Sequence, residues 1–72
     1  MDKEIFFKLG SKIKYLRNKN NISQTDVSLK TGLTTRSISR IETGKIDPKY
    51  STLVKIAEAL EVEICELVTF TL

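Results

Sequence analysis

Two stretches of about eight residues lie back to back between Ser23 and Gly44, each opened by a hydroxyl residue and closed by a glycine. Ser23 is placed to cap the first, and Asp26 three residues later resembles a capping box with the shorter acid in place of Glu. Gly32 stops that helix at the usual C-terminal position. Thr34 can accept from the orphan N–H groups of the second helix, which ends at Gly44. Helices this short are not stable alone in water, because nucleation costs more than two turns return. The rest of the chain must therefore bury their apolar sides.

It has the material to do so. Phe6, Leu9, Ile13 and Leu16 recur at intervals of three and four, predicting a helix from about Lys3 to Lys19. The polar run Asn18-Lys19-Asn20-Asn21 breaks that pattern. After the Asp47-Pro48 turn, Tyr50, Leu53, Ile56, Ala57 and Leu60 share one face of a fourth helix, and Ile64, Leu67 and Val68 mark a short fifth. The expectation is a single all-α domain over residues 1–72, a compact five-helix bundle, with a helix-turn-helix unit at about 23–43 formed by helices two and three. With 72 residues, 40% of them apolar, there is one thin core.

Several chemistries are disfavoured at once. The chain has no His and one Cys, Cys65, which removes zinc sites, His-based acid–base catalysis and an internal disulfide. There is no Gly-rich phosphate loop, so neither an enzyme nor a cofactor or metal site is expected. The longest apolar run is three residues, and the start lacks a signal-peptide pattern, so a cytoplasmic protein without a membrane span is expected. Residues 1–49 carry 11 Lys/Arg against 5 Asp/Glu, whereas residues 50–72 set Lys55 against four glutamates. A basic body attracts polyanions, although lysine also merely solubilises small helical proteins.

The third helix is more specific. At about 100° per residue, Ile38 and Ile41 point inward and Leu33 closes the entry. The opposite stripe is Thr35, Arg36, Ser39, Arg40 and Thr43, with two guanidinium groups, three hydroxyls and no acid. Arg can bridge the two major-groove acceptors of guanine, and Ser or Thr can meet a base edge or phosphate. Glu42 starts from the inner side of this helix, and Arg17 holds the same relation to Ile13 and Leu16 in helix one. These two charges are expected to pair structurally, orienting helix three against helix one.

The ordered set Leu9-Gly10, Leu16-Arg17, Ile22-Ser23-Gln24, Thr31-Gly32-Leu33-Thr34, Ile38 through Gly44, Pro48 and Leu53 through Leu60 resembles the lambda repressor-like, Cro-type (XRE) helix-turn-helix family. The match runs from about Leu9 to Val68. It implies a DNA-binding regulator of transcription, usually dimeric on a partly palindromic operator. Carried over by position, Gln24 is implied to bind backbone phosphate and Ser23 to lie beside one. Thr34, Thr35, Arg36, Ser37 and Arg40 are implied to face bases or adjoining phosphates. Thr43 and Lys45, with the backbone around Gly44, match a phosphate clamp, and Arg17 and Glu42 match the family's paired charges.

The chain departs from the family at a few places. Val27-Ser28 replaces Leu-Ala, with the Ser28 hydroxyl expected on the carbonyl of Gln24. Leu29 stands where a polar residue is usual, and Lys49 and Glu63 stand where capping residues are usual. Val68, Phe70 and Leu72 alternate with Thr69 and Thr71, the pattern of a short strand or extended tail. A homodimer contact through Leu67, Val68, Phe70 and Leu72 is one reading of residues 67–72, and a tail folded on its own core or frayed is the other. Phe7, off the main apolar stripe, is a second interface candidate, and Cys65 is expected as a half-buried apolar residue. The expected function is a sequence-specific binder of double-stranded DNA that regulates transcription, with helix 34–43 in the major groove. The alternative is a protein-interaction module or antitoxin on the same fold, with a protein partner and weak or no DNA binding.

Overall fold

Helix α1 spans Lys3–Lys19 in the computed structural model, which describes residues 3–69. It is followed by α2 Gln24–Thr31, α3 Thr35–Glu42, α4 Tyr50–Leu60 and α5 Ile64–Val68. The predicted punctuation holds at both short helices. Ser23 Oγ accepts from the Asp26 N–H at 2.9 Å, while an Asp26 carboxylate oxygen accepts from the Ser23 N–H at 3.0 Å. Gly32 closes α2 in the left-handed conformation, its N–H donating to Ser28 O. Thr34 caps α3 from outside, so the helix proper begins at Thr35 and is over by Thr43, a residue short of the expected glycine.

Every helix contributes to one core. Ile13, Val27, Ile38, Ile56, Leu60 and Leu67 are almost completely buried, and they come from α1, α2, α3, α4, α4 and α5 respectively. Burying one such side chain contributes about 1.5–3 kcal/mol, which is what the two-turn helices lack on their own. Helix α1 packs on α3 and α5, α2 on α3 and α4, and α4 on α5. Gly10 makes the first of these contacts possible. A Cβ there would lie 2.2 Å from the Ile41 carbonyl oxygen and 2.7 Å from that of Glu42. Only glycine lets the α1 backbone reach the last turn of α3.

Three sequence expectations need correction. Tyr50, the first residue of α4, is 68% exposed and does not join the buried face of Leu53, Ile56, Ala57 and Leu60. Cys65 is exposed. Leu67 is fully buried in its own core and is not available to a second copy, whereas Val68 is half exposed. Among the described residues there is no strand, and the Phe70 and Leu72 part of the tail reading lies outside them. Lys49 and Glu63 make no side-chain cap, as their types led one to expect.

Candidate nucleic-acid interface

Helix α3 is the most sharply divided element. Ile38 and Ile41 are buried, while Thr35, Arg36, Arg40 and Thr43 are exposed and Ser39 is half-buried on the outer side. Arg36 and Arg40 lie one turn apart on that side, and among the described residues neither is in a salt bridge. Both guanidinium groups keep their donors for an outside acceptor. Burial of the inner stripe therefore aims the outer one.

The two ends of α3 are less free than the residue types suggest. Thr34 Oγ1 accepts from the Ser37 N–H and donates to Ser37 Oγ, both at 3.0 Å. The Ser37 hydroxyl proton is then left to point elsewhere. At the other end Thr43 Oγ1 donates to Ser39 O at 2.8 Å, so this hydroxyl offers an outside group only lone pairs. The Gly44 N–H donates to Ile41 O at 3.1 Å and the Lys45 N–H to Arg40 O at 2.9 Å. Those two backbone donors close the helix and are not available as a phosphate clamp. The exposed Lys45 ammonium remains for that purpose. Lys3 and Phe6 of α1 border the same hollow as Thr43 and Lys45, a neighbour that linear spacing did not reveal.

Behind this face sits the expected ion pair, in bidentate form. Arg17 Nε donates to Glu42 Oε2 at 2.7 Å and Nη2 to Oε1 at 3.0 Å, with the residues 9% and 4% exposed. Arg17 Nη1 also donates to Ile22 O at 3.0 Å. The side-chain amide of Gln24 joins them, Nε2 donating to Glu42 Oε1 at 3.1 Å. Gln24 thus stands half-buried at the start of α2, bonded to the last residue of α3. Residue spacing predicted the first of these bonds and missed the last.

The turn between α2 and α3 is also tied. Ser28 Oγ donates to Leu33 O at 2.6 Å, across the turn, and not to the carbonyl of Gln24 within its own helix. Leu33 O lies beyond the end of α2, where no helical N–H can satisfy it. Thr31 Oγ1 donates to Val27 O at 2.7 Å and accepts from the Leu33 N–H at 3.1 Å. These hydroxyls hold the angle between the two helices. At the start of α2, the Ser23 backbone and side chain hydrogen-bond to Asp26 and hold its carboxyl below the ordinary value of 3.8.

A family model described as helix-turn-helix matches residues 13–67. The uncharacterized HTH-type transcriptional regulator MJ0272 of Methanocaldococcus jannaschii is 38% identical over 56 residues, 78% of this chain and 85% of that protein. The uncharacterized HTH-type transcriptional regulator y4dJ of Sinorhizobium fredii is 35% identical over 63 residues, 88% of this chain and 82% of its own. Among solved structures, the restriction-modification controller protein C.AhdI from Aeromonas hydrophila superposes with a TM-score of 0.83 at 27% identity, covering 86% of this chain and 94% of that one. The clp gene regulator ClgR from C. glutamicum shares the fold, with a TM-score of 0.85 at 14% identity over 89% of this chain and 83% of that one.

Proposed function

The chain belongs to the helix-turn-helix family of lambda repressor-like (XRE) regulators, and from that premise we propose that it reads the sequence of double-stranded DNA by laying α3 in the major groove. It is a DNA-binding transcriptional regulator, and its family is a regulator fold and not an enzyme class. The observation that carries the groove reading is the outer side of α3, where Arg36 and Arg40 stand exposed among hydroxyls, in no salt bridge among the described residues. Arg40 and Arg36 select bases, with Thr35, Ser37 and Ser39 beside them. Gln24, Ser23 and Lys45 hold the phosphate backbone, whereas the Thr34 hydroxyl proton is committed to Ser37. Phosphate contacts place the domain and base contacts choose the sequence.

One such domain presents a single reading helix. A symmetric homodimer on a partly palindromic operator, with half-sites roughly 34–36 Å apart, supplies the second. No helix among the described residues is long and apolar enough to cross a membrane, and the working compartment on this reading is the cytoplasm. A second reading, a docking module for another protein, draws support from Leu29, which is 80% exposed on α2.

Selection of bound duplexes from a random pool gives site, symmetry and spacing together. Arg40→Ala is expected to keep the fold, relax the preference at one base position and weaken the selected site by about 1–3 kcal/mol. If that variant binds the same sequences with the same affinity, α3 does not read bases through this side.

A further inference from the structure

Glu42 is the point where two roles meet. The residue is 4% exposed, and its Oε1 accepts from both Arg17 Nη2 at 3.0 Å and Gln24 Nε2 at 3.1 Å. We infer that Glu42 is a positioning residue for DNA binding, which orients the Gln24 amide towards the phosphate backbone while Arg17 cancels its charge. This inference rests on the DNA-binding reading and deepens it.

An ionised carboxylate only accepts, so the amide group facing Glu42 is the nitrogen and never the oxygen. One of the two Nε2 hydrogens is committed to Glu42, and the other remains for an outside acceptor. A glutamine on a helix surface otherwise rotates freely, and ordering it on contact costs conformational entropy. Here the intramolecular bond has already ordered it. A bare carboxylate beside a phosphate contact would repel the phosphate. The bidentate Arg17 guanidinium, donating also to Ile22 O, neutralises it and keeps it in place. The network joins α1, the loop after it, α2 and α3 at the edge of the reading face.

The test is a double-mutant cycle on the full chain, with a 20-base-pair duplex of random sequence as probe, because a phosphate contact needs no operator. Gln24→Ala should weaken binding about fivefold in the natural background and less than twofold in the Glu42→Gln background. Equal losses in both backgrounds would overturn the inference, since a merely structural Glu42 leaves the two effects independent. Thermal melting of each variant keeps any stability change apart from the coupling. Should Glu42→Gln fail to fold, nitrogen relaxation of the Gln24 side-chain amide in the natural protein decides the matter. Restricted motion with slowed proton exchange is expected, and mobility like that of an unfolded chain overturns the inference. If the natural chain shows no salt-dependent affinity for the duplex, the DNA reading fails as well. Salt-dependent binding with an additive cycle removes only the role of Glu42.

Discussion

At the scale of single residues, placement decides what a polar group is worth. Arg17 and Glu42 are charges in a core, and such a pair is stable only because each group satisfies the other. Replacing Arg17 by Met leaves a carboxylate buried without its cation, and the expected loss is about 3–5 kcal/mol. Urea unfolding of Arg17→Met, followed by helix circular dichroism, measures it, and a midpoint equal to that of the natural chain would contradict the geometry. Asp26 lies at the opposite extreme, on the surface. Its depressed carboxyl adds stability that is present above the ordinary value of 3.8 and is lost as pH falls through the lower folded value. Melting temperatures of the natural chain and Asp26→Ala should therefore differ at pH 5 and converge as the pH drops below that value. A gap that stays constant down to pH 2 would show that Asp26 acts through something other than its charged form.

At the scale of helices, α3 is held from two sides by different means. Hydroxyl bonds from Ser28 and Thr31 fix its angle to α2, whereas close backbone approach at Gly10 fixes its distance from α1. The second constraint is the less forgiving. A methyl group on Gly10 would fall within 2.2 Å of the Ile41 carbonyl oxygen, and the helix backbones on both sides have little room to yield. Gly10→Ala should therefore cost at least the ~1–3 kcal/mol typical of an overpacked core, despite the better helix propensity of alanine. Chemical denaturation of that variant tests the contact, and a stability gain would mean that α1 and α3 sit farther apart. Helix α4 ends with Glu61 in the left-handed conformation, at φ 59°, where Gly is the usual residue.

At the scale of the whole molecule, charge is unevenly distributed along the chain. Residues 1–49 carry 11 Lys/Arg against 5 Asp/Glu, and four glutamates lie in α4, α5 and the turn between them. The proposed dimer contact lies at the same end of the chain, where Val68 is half exposed while Leu67 is committed to its own core. On the homodimer proposal, sedimentation of the chain truncated after Glu66 should give a lighter species than the full chain. Leu67 goes with the truncation, so Val68→Lys in the full chain serves as the control that leaves the core intact. An unchanged dimer in both would move the contact elsewhere, with the exposed Phe7 the next candidate.

The helices, their caps and the inner and outer sides of α3 were legible in the sequence, because each is set by periodicity or by hydrogen bonds within a few residues. The Arg17–Glu42 pair was legible too, since both charges ride the apolar edge of their helices. Beyond this, the sequence was silent for one physical reason. Whether Ser28 reaches Gln24 or Leu33, whether Gln24 faces solvent or Glu42, and how near Gly10 comes to α3 depend on the angles and distances between helices. Only packing of the whole core sets those.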